Sequence, residues 1–173
     1  MCLECFKVKQ KLLFGRKNPQ WLNQALSLVD LLMENKVEEA RSLLNDMLRQ
    51  FFSLRHFDDE LYYHDFMLKV TGLAASTRNL AIHEELESGE GFTDIVMENL
   101  TTKSCCILKL KKADSIYECY DVAEEATRQL QNRDYAATFI EKGYKRVYGI
   151  GIGFAQKFGE IVSLGNLAEA SQN

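Results

Sequence analysis

Two short runs near the middle of the chain carry charged residues where a strand would normally be apolar. In "GFTDIVMEN" Asp94 sits between apolar residues, on the strand face shared with Phe92, Val96 and Glu98. In "CCILKLKKAD" strand alternation places Cys106, Leu108 and Leu110 on one face and Ile107, Lys109 and Lys111 on the other. The last two ammonium groups are then about 7 Å apart by strand rise. A half-buried carboxylate beside a lysine-bearing strand is costly unless it has a partner or a metal. Upstream, Glu60 and His64 in "ELYYHD" lie one helical turn apart and project from one helix face. If that helix packs over the strands, Asp94, Lys111 and Glu60 converge. The plainer reading of the two lysines is a strand running out into solvent.

The elements that must position these groups are legible in the hydrophobic period. "NPQWLNQALSLVDLLMENK" opens with Asn18 as a cap and Pro19 in the first turn, and aligns Trp21, Ala25, Leu28 and Leu32 on one helical face. "VEEARSLLNDMLRQFFSLR" repeats the period with Val37, Ala40, Leu44, Met47, Leu48 and Phe51. The short "ENK" join predicts a helical hairpin over residues 18–55. A third helix is predicted over about 59–75. Three short β-compatible runs follow, "LAIHEELES", "GFTDIVMEN" and "CCILKLK". Helical spacing returns in "SIYECYDVAEEATRQLQN" and "YAATFIEKG", and "YKRVYGIGIGFAQKFGEIVSLG" reads as two strands joined by a tight turn. The expected class is mixed α/β behind a helical hairpin. The expected division is residues 1–56 for the hairpin and 57–173 for the α/β domain.

Composition narrows the function. The chain has 173 residues, 46% hydrophobic and 27% charged, with one proline and a net charge of −4. That balance excludes a general nucleic-acid coat protein but leaves room for a local basic patch. Arg128, Arg133, Lys142, Lys145 and Arg146 are candidates for such a patch, and scattered charges are more often an ordinary solvated face. "MCLECFKVKQKLLFGRK" lacks the apolar core of a secretory signal, and no run approaches the roughly 20 apolar residues that span a bilayer, so a cytoplasmic protein without membrane contact is expected. Five cysteines fit a reducing compartment. Cys2 and Cys5 form a single CxxC without the second pair a zinc ribbon needs. Cys105 and Cys106 read as small strand residues. Gly149, Gly151 and Gly153 alternate within one strand instead of opening a helix, which excludes the dinucleotide fingerprint and suggests a helix passing close over the sheet. No GxxxxGK[ST] occurs. His56 and His83 show no partner pattern.

Taken in order, "ELYYHDFMLKVTGL", "ESGEGFTDIVME", "CCILKLKKADS", "EEATRQLQNRDYA" and "GYKRVYGIGIGFAQK" resemble the PD-(D/E)XK nuclease superfamily. The likeness is to the nuclease-like region that follows an AAA-type ATPase-like domain in many bacterial proteins, over roughly residues 57–162. It implies a restriction-endonuclease-like core of helix, three strands, helix and strand. It also implies phosphodiester hydrolysis with Mg²⁺, DNA or another nucleic acid as partner, and an ATPase-like domain or protein as a further partner. In that chemistry a hard cation on oxygen ligands stabilises the developing charge and activates water. The resemblance matches Asp94 to the metal-binding Asp, Lys111 to the motif Lys and Glu60 to the helix Glu. Gln129 and Tyr135 match the Gln and Tyr of the following helix, and His64 belongs to the helical "YH" pair.

One position departs. The family reads roughly "IIEFKVAKS" where this chain has "ILKLKKADS", so Lys109 stands where the acidic ligand belongs. An ammonium there removes a metal ligand and sets a like charge beside the cation. Glu98 cannot replace that ligand, since it lies about 13 Å along the strand from Asp94. Two classes of function follow: a Mg²⁺-dependent nuclease, weak or catalytically impaired, or a regulatory or protein-interaction module built on the nuclease fold.

Overall fold

The computed structural model describes residues 18–51, 60–85, 94–132 and 135–170, except for the side chains of Glu85, Asp94, Asn132, Tyr135, Ala136 and Ala170. Cys2, Cys5, His56, Phe92 and Arg133, named above, lie outside the described residues.

Two helices come first, α1 (Pro19–Met33) and α2 (Val37–Phe51). The Asn18 side chain caps α1 by accepting the Trp21 N–H at 3.2 Å, and Pro19 takes the first helical position, where a missing N–H leaves no bond unmade. Asn35 ends the helix at φ 56°, with its N–H on the Leu32 carbonyl and the Lys36 N–H on the Leu31 carbonyl. This left-handed turn reverses the chain into α2 within three residues, which is why "ENK" suffices as a hairpin.

Helix α3 (Glu60–Arg78) leads into strands β1 (Ala81–Glu85), β2 (Asp94–Asn99) and β3 (Ser104–Lys112). A 3₁₀ turn (Ile116–Glu118), α4 (Cys119–Asn132) and α5 (Tyr135–Glu141) return the chain to β4 (Arg146–Ala155). Strand β5 (Phe158–Asn166) and a short α6 (Leu167–Ala170) follow. The sheet order is β1-β2-β3-β4-β5. Only β3 and β4 run parallel, and the α4–α5 connection supplies the long crossover that a parallel pair requires. The expected order of helix, three strands, helices and two strands is the order found.

Both faces of the sheet are covered, so β3 is buried along its first seven residues. Cys106, Leu108, Leu110, Ile150, Ile152 and Phe154 face one large core that includes Trp21, Leu28, Leu44, Tyr63 and Met67 from α1, α2 and α3. On the opposite face Cys105, Ile107 and Val147 pack with Leu130, Tyr144 and Ala168. The hairpin is tied to β5 by Asn45. Its side-chain amide donates to the Gly159 carbonyl at 2.8 Å, and its oxygen accepts the Gly159 N–H at 3.0 Å. Trp21, Leu32 and Leu44 are buried, and Phe51 packs half-buried at the edge of the same cluster.

The alternating glycines of β4 let α4 lie against the strand. A Cβ on Gly151 would stand 2.1 Å from the Ala123 carbonyl oxygen, and one on Gly153 would stand 2.1 Å from that of Cys119. Backbone thus touches backbone, and the close-approach reading of these glycines is the one observed.

Candidate functional site: the C-terminal end of β3

Strand β2 pairs antiparallel with β3, with Ile95 opposite Leu108. One step further along that register brings Asp94 to the position across from Lys109. The strands carrying Asp94 and Lys111 are therefore neighbours, as expected. The Asp94 backbone begins β2, and its side chain is outside the described residues.

Lys109 is not a strand residue emerging into water. It is 2% exposed, in register with Gly151 on the face over which α4 passes. Lys111 and Lys112, further along, are half-buried. Lys111 reaches α4, where its Nζ donates to Glu125 Oε1 at 2.6 Å. The Gln129 Nε2 donates to the same oxygen at 3.3 Å from one turn further along α4. The hydrogen bond from Lys111 holds the Glu125 carboxyl below its usual range. Gln129 thus touches Lys111 through Glu125, a bridging residue that the sequence reading missed. The Glu125–Gln129 spacing on an amphipathic helix was its available signal.

Glu60 arrives differently from the expectation. Helix α3 packs on the face of Cys106, Leu108 and Leu110, opposite Lys109 and Lys111, so it does not lie over the lysine face. Glu60 is its first residue, and its carboxyl lies near the backbone N–H of Lys112 where β3 ends. Burial pushes the Glu60 carboxyl above its usual range, while the Lys112 N–H and the charges of Lys111, Lys109 and Lys112 act the other way. The convergence of Glu60 with the lysines therefore occurs around the strand terminus.

His64, one turn on, is buried, and neither ring nitrogen has a hydrogen-bond partner among the described residues. The Tyr135 backbone begins α5, with its side chain outside the described residues.

At the other end of the sheet Glu98, which had no expected role, is a buried acceptor. Tyr144 Oη donates to Glu98 Oε1, and His83 Nε2 lies 3.0 Å from Oε2. Burial, then the bond to Glu98, raises the Tyr144 phenol to about 12. His83 therefore has a partner that sequence reasoning did not assign. His83 pairs with Val96 and Glu98 with Ala81, so the two meet on a diagonal of the β1–β2 register that a single sequence does not disclose. The vicinal thiols behave as expected for strand fillers. Burial pushes Cys105 up to about 12 and Cys106 well above the usual thiol range.

The sequence pattern of the PD-(D/E)XK nuclease superfamily matches residues 58–163, more than half of the chain. This protein belongs to that superfamily, and its mixed five-stranded sheet with flanking helices is consistent with the restriction-endonuclease-like fold. No curated protein and no solved structure matches the chain.

Members of this superfamily typically use a divalent metal. The described residues at the end of β3 offer the carboxylates of Glu60, Glu125 and Asp114, amid three lysines, and Glu125 and Asp114 are already paired with Lys111 and Lys112. Among the described residues no group of three His, Cys, Asp or Glu side chains is placed to hold a metal. A hard cation wants several oxygen donors, and a buried ammonium at 109 repels it. The described donor set does not fit Mg²⁺. Among the described residues no helix is long and apolar enough to cross a membrane.

Proposed function

We propose that this protein is a nucleic-acid-binding member of the PD-(D/E)XK superfamily whose hydrolytic centre is impaired. The observation that carries the reading is the burial of Lys109, 2% exposed, at the position where the family resemblance calls for an acidic ligand. A lysine at a solvent-facing strand end would be a neutral change. A lysine held under α4, with Glu60 in its field, instead acts as a fixed positive charge where a cation would sit. Asp94, Lys111 and Glu60 are the residues assigned to the remnant site, with Lys109, His64, Gln129 and Tyr135 supporting it. Incubating duplex and single-stranded DNA with the unmodified protein in Mg²⁺ or Mn²⁺ should give little or no cleavage. Efficient metal-dependent cleavage that Asp94→Ala abolishes would overturn the reading.

A second reading, a protein-interaction module, is favoured by one surface. Ile116 is 43% exposed, Tyr117 89% and Tyr120 54%, next to the exposed carboxylates of Asp114, Glu118 and Asp121. Aromatic residues left in water beside acids suit a partner with basic and apolar groups. An ATPase-like domain, implied by the resemblance, would be a partner of this kind. Capture of such a partner, lost on Tyr117→Ser/Tyr120→Ser, is the outcome that separates this reading from the first.

A further inference from the structure

We infer that the end of the sheet opposite Glu60 is a binding surface for a nucleic-acid backbone, built from Lys103, Lys142, Lys145 and Arg146. The inference rests on the nucleic-acid reading above and adds where the polyanion lies. Strand β3 is nine residues long, so this end is roughly 26 Å from Lys112 by strand rise.

The four cations are brought together by backbone structure. Lys103 ends the β2–β3 turn at φ 51°, a turn held by Asn99, whose side-chain oxygen accepts the N–H groups of Thr101 and Thr102. The Lys145 N–H donates to the Lys103 carbonyl at 3.1 Å, and Arg146 opens β4 in register with Ser104. Lys142 sits in the terminal turn of α5, where Gly143 at φ +80° lets the Tyr144 N–H reach back to the Phe139 carbonyl at 3.0 Å. Two ammonium groups are seated on rings. Lys103 Nζ is 5.0 Å from the Tyr144 centroid, and Lys142 Nζ is 5.6 Å from that of Phe139. The two rings meet edge to face at 5.5 Å.

What marks the cluster is its lack of counter-charge. Elsewhere Lys36, Arg41, Arg49, Arg78, Lys111, Lys112 and Arg128 each pair with a carboxylate. Among the described residues, none of the four cations at this end does, although all are exposed. The nearest buried acid, Glu98, is committed to Tyr144 and His83, and Glu169 accepts from Asn166. Glu141 and Glu169 remain on the rim, so the patch keeps an excess of positive charge. Of the basic residues considered from sequence, Arg128 leaves the group because it pairs with Glu124 at 3.7 Å.

The opposite end is unsuited to a polyanion. Residues 113–127, just past β3, contain five carboxylates and no cation. A protein chain of net charge −4 therefore presents phosphate with one attractive end and one repulsive end. A phosphodiester backbone fits better than an acidic protein. The core of a protein interface needs uncharged apolar surface. Here lysines cover both rings, and Leu100 in the adjoining turn is the exposed apolar side chain.

The test is fluorescence anisotropy of labelled duplex and single-stranded DNA and RNA with the full chain across a KCl series. Changing Lys103, Lys142, Lys145 and Arg146 to Gln together should lower affinity at least tenfold. It should also flatten the dependence of log K on log salt by about 0.9 for each duplex phosphate that is no longer neutralised. Lys142→Arg/Lys145→Arg, which preserves charge, should bind as the unmodified protein does, and unchanged melting shows that each variant folds. Binding that survives the four-fold variant but is lost in Lys111→Gln/Lys112→Gln overturns the patch and leaves the nucleic-acid reading standing. Competition by polyglutamate as effective as by unlabelled DNA overturns the nucleic-acid occupant. No binding of DNA or RNA by the unmodified protein at low salt overturns the nucleic-acid reading and this inference with it.

Discussion

The Glu60 carboxyl lies near the backbone N–H of Lys112, where the first turn of α3 meets the last residue of β3. This proximity explains how a helix packed on one face of the sheet meets lysines that point to the other. Burial, against the Lys112 N–H and the lysine charges, fixes the sign of the pH behaviour. Burial is the largest influence and raises the Glu60 pKa above its unfolded value, so folding favours the protonated carboxyl. The associated stability is fully present below the ordinary carboxylate range and is lost as pH rises through the folded pKa. Glu60→Gln should remove that decline from a melting-versus-pH series. Lys111→Met should move the Glu60 titration, followed by carboxyl NMR, further upward, because a charge that lowers it is gone. An unchanged titration would show that Lys111 does not act on Glu60.

Gly151 should tolerate no side chain. Its Cβ would meet the Ala123 carbonyl at 2.1 Å, where only a shift of α4 makes room. Gly151→Ala should cost about 3 kcal/mol, at the upper end of overpacking effects, measured by urea unfolding. Gly143, whose Cβ would meet nothing within 4 Å, is the control, where any loss comes from its positive φ. Equal losses at both positions would show that helix–sheet contact is not the reason for the glycine stripe.

The hairpin should be held to β5 by Asn45 as well as by apolar burial. Asn45→Ala leaves the Gly159 N–H and carbonyl without their side-chain partner and should cost about 2 kcal/mol. Residues 57–173 alone should expose the apolar surface that Trp21, Leu28 and Leu44 now cover, and should aggregate or melt far lower. A monomeric fragment with the melting behaviour of the full chain would show that the hairpin is a dispensable unit.

Much of this architecture is legible in single residues. Asn18 and Pro19 mark the start of α1, the apolar period marks α1–α3, and the glycine alternation in β4 announces the close pass of α4. The site was harder to read, for physical reasons. Alternation in "LKLK" predicts a shared face for Lys109 and Lys111, but not whether the face is wet. That depends on α4, which is fixed to β4 by contacts distant in sequence, such as Gly151 with Ala123 and Gly153 with Cys119. The role of Glu125, the pairing of Glu98 with Tyr144 and His83, and the side from which Glu60 arrives are likewise set by register and packing. None has a local sequence signature. The replacement at 109 stood out only because the family resemblance supplies an acid there.

The most direct test of the central claim is the melting temperature of the unmodified protein, Lys109→Glu and Lys109→Gln over a Mg²⁺ and Mn²⁺ series. If Lys109 fills a cation's place, the unmodified protein should show no metal dependence. Lys109→Glu should be destabilised without metal and recover with it, because a ligand that binds only the folded state adds about 2.7 kcal/mol at 100 times Kd. Several degrees of recovery are expected for a chain of this size. Asp94→Ala in the Lys109→Glu background should abolish the recovery. Lys109→Gln, which removes the charge without adding one, should gain a weaker metal response and keeps the test open if the Glu variant does not fold. A metal-dependent rise in the unmodified protein, unchanged by either substitution at 109, would contradict the account.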